Sequence, residues 1–197
     1  MSTIYEKSLQ KHSEWKGKLE IKLKEPLNNK DDLSIAYTPG VALAGGVVRN
    51  IILTEENKFK LTPELLKEAI NEKTKAILLN YPSNPTGGFM TKEDYEKLVP
   101  IFKESGIMII TDEIYAELSF DQPFASLAQF DEIKSQIIVV NGFSKAYAMA
   151  GWRLGYGVMN KDLAELVSRL VTNCESCTNT FIQDAAVSAL TGPQEAV

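Results

Sequence analysis

Histidine and cysteine are almost absent from this chain of 197 residues, which has one histidine, His12, and two cysteines, Cys174 and Cys177. A zinc site needs several such ligands, and His12 lies far in sequence from the Cys-x-x-Cys pair, so no metal site is expected. Two cysteines in such a chain read as reduced thiols, not as a disulfide framework. No apolar stretch approaches the ~20 residues of a membrane span. The polar start carries no apolar leader, which points to a cytoplasmic protein. Basic blocks are missing too, and the formal net charge of -5 argues against nucleic acid as a partner. Repeats, low-complexity tracts and the strand-Gly-x-Gly-x-x-Gly-helix unit of dinucleotide sites are likewise lacking. What remains is 44% hydrophobic, enough to bury the core of one domain with an appendage.

That apolar content falls in short continuous runs. Lys75-Ala76-Ile77-Leu78-Leu79, Ile107-Met108-Ile109-Ile110 and Ile137-Ile138-Val139-Val140 read as strands, with a helical pattern over residues 91–105 between the first two. Continuous apolar strands alternating with helices predict an α/β fold: three α/β/α layers around a mostly parallel sheet. Further helices are expected over residues 62–71, opened by Thr62-Pro63, over 162–173 and over 181–190. Pro100 is expected to kink the helix that Thr91 opens.

Ligands of such sheets sit beyond the carboxyl ends of the strands. Polar groups follow each end: Asn84 in Ser83-Asn84-Pro85-Thr86-Gly87, Asp112 and Tyr115 in Asp112-Glu113-Ile114-Tyr115, and Ser144 and Lys145 after the third strand. The longest such stretch runs from Asn141-Gly142-Phe143-Ser144-Lys145 to Gly151-Trp152-Arg153-Leu154-Gly155. A lysine held away from water loses its charge readily and becomes a nucleophile towards aldehydes. Arg153, fenced by glycines, can present its planar fork to a phosphate ester. Aldehyde and phosphate together describe pyridoxal phosphate. Asp112 can pair with its ring nitrogen, and Asn84 and Tyr115 with its phenolic oxygen. Each residue alone also has an ordinary reading: a turn at Asn84, a helix cap at Asp112, a surface lysine at Lys145 and an ion pair at Arg153. Their shared placement at strand ends favours the functional one.

From about Leu43 to Val197, these motifs resemble the large domain of class I and II aminotransferases, type I pyridoxal-phosphate enzymes. The resemblance implies Lys145 as the cofactor-bearing lysine, Asp112 as partner of the pyridine nitrogen, Asn84 and Tyr115 as phenolic-oxygen ligands and Arg153 as a phosphate ligand. Many relatives carry a serine where this chain has Gly142, so Ser144 is the candidate replacement for that phosphate contact. The family's reaction moves an amino group between an amino acid and a 2-oxo acid, usually in homodimers. A type I carbon–sulfur lyase shares the lysine and aspartate, but Asn84-Pro85-Thr86-Gly87 with Gly151-Trp152-Arg153 favours the aminotransferase branch.

The first segment reads differently. Residues 4–15 suggest an amphipathic helix, Leu19-Glu20-Ile21-Lys22-Leu23-Lys24 an alternating strand, and Asp31 the cap of a short helix that Pro39-Gly40 ends. Trp15-Lys16-Gly17-Lys18 and Asp32-Leu33-Ser34-Ile35-Ala36-Tyr37-Thr38-Pro39-Gly40-Val41-Ala42 resemble the amino terminus of bacterial malic enzymes. The chain is therefore expected to be a chimera, with a malic-enzyme-like segment at 1–42 and a partial aminotransferase large domain at 43–197. Tyr37 is expected to be a packing residue, stranded from its malic-enzyme partners. A glycine-rich phosphate loop, the ring-stacking aromatic and a carboxyl-terminal small domain with its substrate arginine are not found in the sequence. The expectation is an aminotransferase-family chain that keeps the lysine and ring-facing groups, with a non-catalytic cofactor-binding remnant as the alternative.

Overall fold

The computed structural model describes residues 20–21, 33–195 and 197. The expected helix at residues 4–15, His12 and Asp31 lie outside them. Among the described residues six strands form, β1 (Glu20–Ile21), β2 (Val47–Val48), β3 (Ala76–Asn80), β4 (Met108–Asp112), β5 (Ile137–Gly142) and β6 (Gly155–Val158). The helices are α1 (Leu33–Leu43), α2 (Pro63–Ala69), α3 (Lys92–Ser105), α4 (Lys161–Cys174) and α5 (Thr180–Thr191). β1 and β2 pair in parallel as a small ladder. The main sheet runs β3-β4-β5-β6, parallel across its first three strands and antiparallel at β6. This is the expected α/β arrangement, with each strand one or two residues longer at its carboxyl end than its apolar run.

Side-chain alternation sorts the sheet's two faces. Ile77, Leu79, Ile109, Ile137 and Val139 point to one side, where Leu66 of α2 and Tyr95, Leu98 and Phe102 of α3 close the main core. Tyr95, Leu98, Val99 and Phe102 recur at the three-to-four spacing of a helix face, which is why α3 docks as it does. The opposite face presents Ala76, Leu78, Met108 and Ile110, covered by Val41 and Tyr37 of α1. Both helices under the main core are capped. Thr62 accepts from the Leu65 amide and Thr91 from that of Asp94, while Gly106 closes α3 in the left-handed region at φ 64°. Each threonine cap contributes about 1 kcal/mol. Pro100 lies within α3 without interrupting it.

Pro39-Gly40 does not end the first helix, contrary to expectation: α1 continues through both to Leu43. Burial explains the difference. Val41, 5% exposed, packs on Ala76 and Leu78, and the helix gives way only at Gly45, whose φ of 75° suits glycine. The other departure lies at the carboxyl end. α4 and α5 form where expected, yet Leu166, Leu170, Phe181, Val187 and Leu190 are exposed, and Ala186 is the buried residue of this pair.

Candidate active site

Register brings the strand ends level. Asn80 of β3 pairs with Asp112 of β4, which pairs with Val140 of β5. Hydrogen bonds then stitch the rim. Asn80 donates from Nδ2 to the Asp112 carbonyl at 3.2 Å, and the Glu113 amide donates to the Val140 carbonyl at 2.9 Å. Asn80, which apolar patterning passes over as the polar end of a run, is buried and also accepts from the Asn84 amide at 3.4 Å. One buried amide thereby ties the loop carrying Asn84 to the strand carrying Asp112.

On this rim Asn84 Nδ2 donates to the Tyr115 hydroxyl at 3.0 Å, so these two candidates meet. Lys145 joins them: its Nζ lies 5.3 Å from the centroid of the Tyr115 ring, within reach of the electron-rich face. Asp112 is half-buried, and its Oδ1 accepts from the Ile114 amide at 3.1 Å. This bond closes a local turn and caps no helix, since the short helical turn that follows begins at Ala116 with Tyr115 before it and no side-chain cap; it leaves the carboxylate a second oxygen. Ser144 is half-buried beside Lys145. Arg153 stands apart on the hairpin between β5 and β6, exposed, with φ 55° and its Nη1 donating to the Ala150 carbonyl at 3.0 Å.

Lys145 departs from expectation because its side chain is exposed. The residues around it are small, but small residues only exclude water when other groups cover them. Gly142 is explained by space. A Cβ there would meet both the Leu154 carbonyl oxygen and the Gly155 Cα at 3.0 Å, so a serine at this close approach of β5 and β6 would require the neighbouring backbone to give by a few tenths of an ångström. Phe143 is buried beside it, tilted against Tyr147 and edge-on to Tyr156.

Tyr37 corrects a second expectation. It does pack against the sheet, but it is not stranded: its hydroxyl donates to Asp112 Oδ2. Burial first, then the Asp112 carboxylate and the nearby Tyr115, holds this phenol above its ordinary value, so it stays a donor across the neutral range. The pairing spans 75 positions of sequence, and no local signal announces it. Glu113 was also unmarked by sequence. It is 4% exposed, and its Oε1 accepts from Thr111 at 3.2 Å and Ser126 at 3.0 Å. Burial pushes its carboxyl up, and the Ser126 and Thr111 bonds oppose that rise.

Taken together, an α/β domain carries an amine, a carboxylate and an amide–phenol pair at the carboxyl rim of its parallel sheet. The chain belongs to the aminotransferase class I and II family, whose sequence model matches residues 35–197. It is 43% identical over 165 residues to an aspartate aminotransferase of Bacillus sp. (strain YM-2), covering 83% of this chain and 42% of that protein. An aspartate aminotransferase of Geobacillus stearothermophilus is 40% identical over the same length, with the same coverage. Among solved structures, an aromatic aminotransferase from Pyrococcus horikoshii superposes with a TM-score of 0.81 at 34% identity, over 90% of this chain and 46% of that one. The chain thus spans under half the length of the relatives it matches. Nothing in these comparisons supports a malic-enzyme amino terminus, and the family match takes in Tyr37, Pro39 and Gly40.

Among the described residues, no cluster of histidine, cysteine or acidic side chains could hold a metal ion, and no helix is long and apolar enough to cross a membrane. Cys174 and Cys177 are free and exposed.

Proposed function

We propose that the rim binds pyridoxal phosphate and that the chain serves amino-group transfer between an amino acid and a 2-oxo acid. The observation that carries this reading is the convergence of Asn84, Asp112, Tyr115 and Lys145, from three separate strand ends, on one edge of the sheet. The donor set at the rim fits the group: an amine for its aldehyde, an anion for its ring nitrogen and an amide–phenol pair for its phenolic oxygen; Arg153 and Ser144 are assigned to its phosphate by family resemblance, Arg153 standing apart from the rim. When bound, pyridoxal phosphate supplies the aldehyde and an electron-accepting ring.

In this reading Lys145 Nζ would hold the cofactor through its aldehyde and would be the amine placed to take and return the substrate's α-proton. Asp112 keeps a proton on the ring nitrogen by charge pairing. The Asn84–Tyr115 pair orients the phenolic oxygen. The division into a first segment, residues 1–42, and a large-domain portion, 43–197, belongs to the same proposal, as does a homodimer in the cytoplasm. The relatives' names include aspartate, aromatic amino acids and N-acetyl-LL-diaminopimelate, so the substrate class is kept at amino acids and 2-oxo acids. A second reading, cofactor binding without turnover, is favoured by the exposure of Lys145.

Titration with pyridoxal phosphate tests the proposal. The expected result is an absorbance band near the visible edge that borohydride abolishes, present in the parent chain and missing in Lys145→Ala. A band of equal strength in Lys145→Ala overturns the assignment. Amino transfer from an amino acid to a 2-oxo acid by the parent then separates the first reading from the second.

A further inference from the structure

We propose that α1 is a working part of the cofactor site: Tyr37 positions the Asp112 carboxylate, so ring binding at Asp112 and docking of α1 on the sheet stabilise each other. This rests on the reading of the rim as a pyridoxal-phosphate site. It adds a residue and an element that none of the strand-end motifs includes.

The geometry is that of a carboxylate held from both sides. Oδ1 accepts from the Ile114 amide at 3.1 Å, a bond local to the β4 end. Oδ2 accepts from the Tyr37 hydroxyl, a bond that reaches across from α1. Two donors on two oxygens fix the plane of a group whose terminal torsion is otherwise broad. Each oxygen keeps a further lone pair for a third donor, so the bond from Tyr37 orients Asp112 without using it up.

Tyr37 is placed by packing that has no other tie to the rim. It shares the far-face cluster with Val41, Ala76, Leu78, Met108 and Ile110, and Val41 is the buried anchor of α1. Anything that loosens α1 therefore releases the donor on Oδ2. By reciprocity, a ligand that prefers the oriented carboxylate strengthens the docking of α1 by the same factor. Tyr37 is a positioning residue in this scheme, since it touches Asp112 and no reacting atom.

The test measures affinity for pyridoxal phosphate and amide hydrogen exchange of α1 on the same chains. Tyr37→Phe keeps the ring and removes the hydroxyl; Val41→Ala keeps the hydroxyl and loosens the helix that holds it against Asp112. Both variants are expected to bind pyridoxal phosphate about tenfold more weakly than the parent, within the usual span of coupling between sites. In the parent, pyridoxal phosphate is expected to slow exchange in α1, and Tyr37→Phe to remove that slowing. Urea midpoints of the cofactor-free chains show that each variant is folded. If Tyr37→Phe binds as the parent does, or α1 exchange ignores the cofactor, the linkage is wrong while the Lys145 assignment stands. If the parent shows no Lys145-dependent band, the cofactor reading itself falls, and this inference with it.

Discussion

The two flanks of the candidate site are built differently. Asp112 ends β4, and Asn84 and Tyr115 stand on loops stitched to β3 and β4, whose residues are packed beneath α2 and α3 and cross-linked by buried Asn80 and Glu113. Lys145 and Arg153 stand on an exposed hairpin region, and β6, α4 and α5 that follow it bury one residue, Ala186, among those described. Non-glycine residues at Ala148 and Arg153 adopt positive φ, at a cost of roughly 1–2 kcal/mol each. The flank that reads the ring is therefore preorganised by the core. The flank that carries the amine takes little of its order from that core.

That contrast predicts a ranking of effects. Phe102 is fully buried in the main core, and Phe102→Ala is expected to cost about 3–5 kcal/mol in urea unfolding. A cost near zero would mean that the sheet's packed side is not what holds the Asp112 flank. A smaller effect is expected at Glu113. Burial raises its carboxyl in the folded chain, so its contribution to stability is full below the ordinary carboxylate range and is lost as pH rises through the raised value. Glu113→Gln keeps an acceptor for Ser126 and Thr111 and removes the charge. Its urea midpoint should exceed the parent's increasingly as pH rises through that window, and a constant difference between the two chains at all pH values would contradict the burial argument. The smallest effect is expected at Leu166, 61% exposed on α4, where Leu166→Ala should change unfolding by less than about 0.5 kcal/mol. A loss as large as that of Phe102→Ala would show that α4 is covered, for example by a second copy, and would erase the contrast.

The same contrast marks what the sequence made legible. The strands β3, β4 and β5 were visible because continuous apolar runs report burial on both faces. The rim followed because chain direction alone places Asn84, Asp112 and Lys145 after parallel strand ends. Helix α1 was misread at Pro39-Gly40 because local breakers were weighed without the burial of Val41. Tyr37 packs as expected, but its bond to Asp112 is invisible in the sequence because the partner lies 75 positions away. The exposure of Lys145 was hidden for the opposite reason: small neighbours describe a lysine's own chain and say nothing of what covers it.

Lys145, exposed as it is, is proposed as the amine that the rim's ring-reading flank serves. Mass-spectrometric mapping after pyridoxal phosphate and borohydride treatment, at limiting cofactor, tests it most directly. The account predicts a pyridoxyl label concentrated on Lys145 and lost from that peptide in Asp112→Ala. A label spread over exposed lysines such as Lys97 and Lys134 in proportion to their number, and unchanged by Asp112→Ala, would contradict it.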